Sequence, residues 1–178
     1  MKENRKEFIF VIGKSEGMDQ KAVLAGFNAL ADEQKKIEDE STYTLVFFNE
    51  AAKASAESKA LSEIRKYNVK TYVPKGGSAL YDAMGYAMDS VGARLADTDE
   101  SERPSRVCVI VFGEKDNAST TYTKEQIAEM VKVQKYTYKW DFVFFGEDGA
   151  ELDINMGGTL NDIENAFSQV SDYMTSVR

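Results

Sequence analysis

Small polar and acidic side chains follow the ends of two apolar segments, where they could bind an ion or take part in acid–base chemistry. The first segment stops at Gly13 and is followed by Ser15 and Glu16, and the second stops at Gly113 and is followed by Glu114. Hydroxyl and carboxylate oxygens are the ligands that hard divalent cations prefer, and paired carboxylates can act as general acid and base. Metal binding and acid–base catalysis are therefore the two chemistries to weigh first.

A glycine-rich stretch at residues 75–78 ends in Ser78, and Asp82 follows it. The stretch is partly similar to a phosphate-binding loop, but it lacks the Gly-x-x-x-x-Gly-Lys-Ser/Thr pattern. Asp82 and Glu114 could be paired for acid–base work, although acids on a solvated surface are far commoner. Ser15 has no base beside it except Lys14 or a carboxylate, so no activated nucleophile is indicated. We therefore predict that the protein is not an enzyme.

The composition excludes several other kinds of site. The chain has 178 residues with no histidine and one cysteine, which rules out a disulfide framework, histidine or multi-cysteine zinc sites and a histidine base. The net charge of -8 argues against nucleic acid or anionic membranes as partners. Cys108 lies in an apolar run and is predicted to be a core residue. Because no signal peptide or membrane span is indicated, we expect a reducing, cytoplasmic location.

Apolar segments alternate with helical patterns along the chain, and this alternation would place the polar residues at the ends of strands. Strands are predicted at residues 8–12, 42–49, 106–112 and 140–145, with a weak edge strand at 51–58. Helices are predicted at residues 19–37, 80–96, 123–133 and from 159 onwards, with a helical turn at 60–67 and a charged loop at 97–105. Asp19 and the pair Thr123 and Gln126 are predicted helix caps. We predict one α/β domain over residues 1–178, with a doubly wound, mostly parallel sheet, helices on both faces and one antiparallel edge strand.

Three stretches of the sequence resemble a known family. They are FIFVIGKSEGM, YVPKGGSALYDAMG, and RPSRVCVIVFGEKDNASTTYTKEQIAEM with the KWDFVFFG that follows it. From Phe8 to at least Gly146, the chain resembles the von Willebrand factor A (vWA) domain in the small stand-alone form of bacteria and phages. The resemblance implies a Rossmann-like α/β fold with a metal-ion-dependent adhesion site (MIDAS) at the C-terminal edge of the sheet, near which such domains bind protein partners.

The adhesion site of that family is only partly retained here. Its first loop normally reads Asp-x-Ser-x-Ser, its second supplies a Thr and its third an Asp. These five positions fall, in that order, on Gly13, Ser15, Gly17, Ser78 and Gly113. Both carboxylates are absent, and two hydroxyls supply neither the charge nor the number of ligands that Mg²⁺ requires. The resemblance thus implies a degenerate site with no metal and no other cofactor, which only a neighbouring acid such as Glu16, Asp82 or Glu114 could complete.

Several functions remain open at this point. The leading one is a module that binds a protein partner through the loops at residues 13–18, 75–79 and 113–121. Backbone N–H groups, hydroxyls and the helix dipole near Ser78 could receive a peptide or an anion there. The alternatives are an acidic decoy or anti-defence protein of phage origin and a metal-dependent hydrolase-like enzyme that uses the neighbouring acids. In every case we predict that Gly13, Gly113 and Ser78 converge on one shallow site.

Overall fold

The computed structural model describes all 178 residues and contains a six-stranded sheet with four α-helices. The strands are β1 (Lys2–Gly13), β2 (Thr42–Phe48), β3 (Ala52–Ala60), β4 (Pro104–Phe112), β5 (Asp141–Phe145) and β6 (Gly157–Gly158). The helices are α1 (Gln20–Gln34), α2 (Leu80–Ala96), α3 (Lys124–Tyr136) and α4 (Ile163–Val177). The strand order is β3-β2-β1-β4-β5-β6, and every neighbouring pair is parallel except β2 with the edge strand β3.

Side chains that alternate along the central strands divide the core into two layers. In β1, Phe8, Phe10 and Ile12 pack in the layer that contains α1 and α4. Ile9 and Val11 pack in the layer that contains α2 and α3. A strand covered on both faces carries a nearly continuous apolar run, which explains the pattern of this segment. The predicted doubly wound α/β architecture with one antiparallel edge strand is confirmed.

Helix caps that were predicted from the sequence begin two of the helices. The side chain of Asp19 accepts a hydrogen bond from the amide of Ala22, 3.0 Å away, at the start of α1. Thr123 and Gln126 form the reciprocal capping box that begins α3. Each cap satisfies amides that the first turn of a helix leaves without partners.

The final helix α4 is docked against α1, as its apolar stripe predicted. A Cβ at Gly26 of α1 would lie 2.6 Å from the ring of Phe167, so the glycine permits the close approach of the two helices. Beyond α4, the buried guanidinium of Arg178 donates to the Asp39 carboxylate and to the Gln34 carbonyl, each over 2.7 Å. These contacts fix the end of the chain to the end of α1.

The structure differs from the predicted boundaries in several places. Strand β1 begins at Lys2 because its polar first residues pair with the start of β4. Helix α1 ends at Gln34, and the predicted turn at residues 60–67 is only a 3₁₀ turn over Leu61–Glu63. The predicted loop at 97–105 contains a 3₁₀ turn, and β4 already begins at Pro104. None of the helices has the length and apolar composition needed to cross a membrane.

Cys108 occupies the core position predicted for it. The residue is fully buried in the layer that contains α1 and α4. Burial raises the pKa of its thiol to about 12. The thiol is therefore protonated at neutral pH and behaves as a small apolar group.

Candidate functional site

The three predicted loops meet at the carboxyl ends of β1 and β4. The two strands are parallel neighbours, and Ile12 lies beside Phe112. A Cβ built on Gly13 would lie 3.6 Å from the Cα of Gly113. The hydroxyl of Ser78 donates to the backbone carbonyl of Glu114 over 3.0 Å. The predicted convergence of Gly13, Gly113 and Ser78 is confirmed.

The carboxylate of Glu114 lies within this site. Ser15, which is buried, donates its hydroxyl hydrogen to Oε1 of Glu114 over 2.6 Å. The other oxygen, Oε2, lies 2.3 Å from the point where a Cβ on Gly17 would be. The carboxylate therefore takes up the space that a side chain at position 17 would need. Of the three neighbouring acids, Glu114 is the one that hydrogen-bonds to Ser15 or Ser78.

The ring of Phe48 occupies the space beside the other two glycines. Phe48 is fully buried and lies opposite Gly13 in the register between β1 and β2. Its Cζ atom lies 3.3 Å from the Cβ position of Gly13 and 3.1 Å from that of Gly113. The residues with positive φ include neither Gly13 nor Gly113, nor Gly17, so a left-handed turn does not explain these glycines. What distinguishes their positions is the lack of room for a side chain.

Five amides around the start of α2 are already hydrogen-bonded within the protein. Their acceptors are oxygens of four neighbouring side chains: Glu50 for Gly77 (2.6 Å), Asn117 for Ser78 (2.8 Å), Asp116 for Tyr81 (3.0 Å) and Ser119 for Asp82 (3.0 Å). The amide of Ala79 donates to the carbonyl of Asn49. The bond from Gly77 lowers the pKa of Glu50. These five amides are therefore engaged within the protein and are not free to bind an anion.

Asp82 and Glu16 are placed differently from Glu114. The carboxylate of Asp82 accepts hydrogen bonds from the amides of Thr120 (2.8 Å), Thr121 (2.9 Å) and Tyr122 (2.8 Å). Burial acts against ionisation, but these bonds outweigh it and lower the pKa of Asp82. Asp82 thus orders the loop between β4 and α3, while Glu16 is exposed on the first loop.

Tyr72 supports the first loop from below, a role that the sequence gave no reason to assign. Its buried hydroxyl donates to the carbonyl of Gly13 over 2.6 Å. Burial raises the pKa of this phenol, so it stays protonated and can donate. The amide of Lys14 donates to the backbone carbonyl of Phe48, and the amide of Lys75 donates to the backbone carbonyl of Lys14. The first loop is therefore fixed to β2 and to the segment that precedes α2.

A cleft of about 930 Å³ opens over this site. It is bounded by the first loop, the glycines before α2, the end of β4 and the segment before α4. Its lining is mostly polar, and the charged side chains on it are Glu16, Asp19, Glu114, Lys115 and Glu147. Carboxylates outnumber cations there, so the cleft has an acidic surface.

The oxygen atoms at the base of the cleft do not fit a hard divalent cation. Nowhere in the protein do three or more His, Cys, Asp or Glu side chains lie together in a way that could hold a metal. At the converged loops, the oxygens that could bind a metal are the hydroxyls of Ser15 and Ser78 and the carboxylate of Glu114. Both hydroxyls already donate hydrogen bonds to Glu114. Magnesium takes a near-octahedral set of oxygens and gives up its water reluctantly. This set is too small and is already internally bonded.

Solved structures with the same fold include vWA domains, although no protein-family description and no curated protein sequence matches the chain. The vWF domain of the type V pili tip protein Mfa5 from Porphyromonas gingivalis matches with a TM-score of 0.65 and 8% identity, over 97% of this chain and 96% of that one. A von Willebrand factor type A structure from Catenulispora acidiphila matches with a TM-score of 0.57 and 12% identity, over 94% of this chain and 42% of that one.

A third match is proximal thread matrix protein 1 (PTMP1) from the mussel byssus, in a structure with a zinc-occupied MIDAS motif. The TM-score is 0.55 with 13% identity, over 97% of this chain and 44% of that one. The chain thus spans less than half the length of PTMP1. Together with the strand order and the converging loops, these likenesses show that the chain has the vWA fold.

Proposed function

We propose that the protein is a non-enzymatic interaction module of the vWA type, which binds a protein partner in the cleft at the C-terminal edge of its sheet. The observation that carries the proposal is the cleft itself, which lies where β1 and β4 end. In open α/β sheets, ligands bind outside the carboxyl ends of the strands. One domain with this fold belongs to a pili tip protein, Mfa5, which supports a role in contacts between macromolecules.

The arrangement of Ser15 gives little support for catalysis. Its hydroxyl is hydrogen-bonded to Glu114, but only 2% of the residue is exposed. The nearby amides of Gly77 and Ser78, which could have stabilised an oxyanion, are bonded to Glu50 and Asn117. A nucleophile needs both access to the substrate and stabilisation of the charge that develops. Neither is supplied here, so the proposal assigns no reaction.

The proposed contact does not use a metal ion. PTMP1 has been seen with zinc in its MIDAS motif, whereas the five positions that the family pattern assigns in this chain carry three glycines and two serines. Without a cation, the strongest electrostatic feature of the cleft is its excess of carboxylates. Complementary charge guides association between proteins and selects partners. We therefore expect the partner to present a basic surface to the cleft.

A capture experiment with matched charge reversals tests this proposal. Glu16→Lys with Glu147→Lys reverses two exposed cleft carboxylates, neither of which accepts a side-chain hydrogen bond in the structure. Glu38→Lys with Glu129→Lys is the control, because it changes the net charge equally at exposed positions outside the cleft. Each tagged protein is incubated with an extract of the source cells, in buffer with a chelator, and bound proteins are identified by mass spectrometry.

The proposal predicts one partner that the parent and the control retain and that the cleft variant loses. The same partner, purified, should bind the parent in calorimetry without added metal. Retention of the partner by the cleft variant, or binding that requires Mg²⁺ or Mn²⁺, would contradict the proposal.

A further inference from the structure

We infer that Phe48 and Glu114 have taken over the volume of the metal site, so that a divalent cation is excluded by occupied space as well as by missing ligands. In this arrangement Glu114 connects the loops at residues 13–18, 75–79 and 113–121 without a metal. The inference rests on the proposed function only in its claim that the site binds no metal ion, and it gives a structural reason for that claim. It identifies which side chains must move before the site can hold a cation.

Glu114 connects three loops through two separate groups. Its carboxylate accepts the hydroxyl of Ser15 from the first loop, and its backbone carbonyl accepts the hydroxyl of Ser78 from the loop before α2. Glu114 itself belongs to the loop after β4. A cation bound by oxygens of these loops would hold them together through its ligands. Here one residue forms the same connection with hydrogen bonds.

Gly17 and Glu114 are complementary in shape. With Glu114 in its present position, a Cβ at residue 17 would lie 2.3 Å from Oε2 and 2.7 Å from the carboxyl carbon. Such distances do not occur between unbonded atoms, so a serine at position 17 would displace the carboxylate from Ser15. The serine expected from the family pattern and the bond between Ser15 and Glu114 are therefore mutually exclusive.

Phe48 crowds the Cβ positions of Gly13 and Gly113, as Glu114 crowds that of Gly17. Its Cζ atom is within 3.3 Å of both Cβ positions, and Leu80 lies 3.0 Å from that of Gly113. An aspartate at either position would extend two bonds beyond Cβ. The ring cannot retreat freely, because it is fully buried among the residues that pack on α2. Aspartates at these two positions therefore force the Phe48 ring to shift, and a smaller residue at position 48 removes that crowding.

Manganese binding by two sets of substitutions tests the inference. The first protein carries Gly13→Asp, Gly17→Ser and Gly113→Asp, which restore the ligands only. The second carries the same three changes with Phe48→Ala and Glu114→Ala, which also clear the space. In calorimetry with Mn²⁺ at millimolar concentration, we expect binding by the second protein alone. Binding by the first protein, or none by a second protein that circular dichroism shows to be folded, would overturn the inference.

A second measurement tests the Glu114 part of the inference whether or not these two proteins fold. Gly17→Ser and Glu114→Ala are made singly and together, and hydrogen exchange is followed at the amide of Glu16, which donates to the carbonyl of Gly76. Loss of one charge-assisted hydrogen bond corresponds to about tenfold faster exchange. Each single change should produce this acceleration, and the double variant should show no more than either single variant.

Additive effects in this cycle, or no acceleration by either substitution, would overturn the inference. Glu147→Ala is the matched control, because Glu147 lines the cleft but accepts no side-chain hydrogen bond. It should leave the exchange of Glu16 unchanged. Both experiments report metal binding and loop protection, whereas capture of a partner tests the proposed function. The two proposals can therefore fail independently.

Discussion

A single methyl group added at Gly113 should destabilise the protein because the space beside it is filled. A Cβ there would lie 3.0 Å from Cδ1 of Leu80 and 3.1 Å from Cζ of Phe48. Both neighbours are fully buried in the layer that contains α2, so neither can yield without disturbing the core. The backbone of Gly113 does not have a positive φ, and alanine is therefore not strained by the chain conformation itself.

The expected magnitude is the difference between two effects. Overpacking a filled core costs about 1–3 kcal/mol. Replacing a glycine by alanine at a compatible φ recovers about 0.4–1 kcal/mol through the entropy of the unfolded chain. We expect Gly113→Ala to lower the free energy of unfolding by about 1–2 kcal/mol. Gly158→Ala should raise it by about 0.5 kcal/mol, because its Cβ would lie 3.8 Å from the nearest side chain, Phe145.

Urea unfolding followed by circular dichroism measures both values, with Gly158→Ala as the matched control. A double-mutant cycle with Phe48→Leu then tests the stated cause. If the Phe48 ring is one of the two causes, leucine at position 48 should remove part of the penalty at Gly113, while the contact with Leu80 at 3.0 Å retains the rest. A Gly113→Ala protein as stable as the parent, or strict additivity in the cycle, would refute the reasoning.

Three further predictions concern Asp82, which orders the loop after β4, and two glycines in the helices. Asp82→Asn should reduce stability by about 1 kcal/mol at neutral pH, since backbone hydrogen bonds outweigh burial and lower the pKa of Asp82. The difference from the parent should vanish in urea titrations as the pH falls through that lowered folded-state pKa. Gly92→Ala should stabilise α2 by about 0.5–1 kcal/mol, because Gln134 is 3.8 Å from the new Cβ. Gly26→Ala should instead lower the melting temperature, because its Cβ would lie 2.6 Å from Phe167.

The architecture and the position of the site could be predicted from local patterns in the sequence. Apolar runs that stop at Gly13 and Gly113 mark buried parallel strands, and strand ends of this kind meet at one edge of a sheet. The capping box at Thr123 is likewise a local signal. By contrast, the start of β1 at Lys2 and the two-residue β6 depend on pairing with distant strands. No local pattern distinguishes them from loops.

The side chains that fill the site could not be predicted from local sequence patterns. The contact of Phe48 with Gly13 follows from the register between β2 and β1, and a shift of one residue would turn the ring to the other face. The position of Glu114 depends on the conformation of a loop and on the space left by Gly17. The position of Glu114 next to Gly113 in the sequence does not indicate which way its carboxylate points. Both features are properties of the packed structure.

Thermal unfolding of the unmodified protein with and without divalent cations tests the central claim most directly. A ligand that binds only the native state stabilises it and so raises the melting temperature. At a ligand concentration of a hundred times the Kd, the added free energy of unfolding is about 2.7 kcal/mol. We predict that melting curves in EDTA, in millimolar Mg²⁺ and in millimolar Mn²⁺ coincide. An upward shift with either cation that Ser15→Ala abolishes would contradict the claim, because it would show that Glu114 and the two serines complete a metal site.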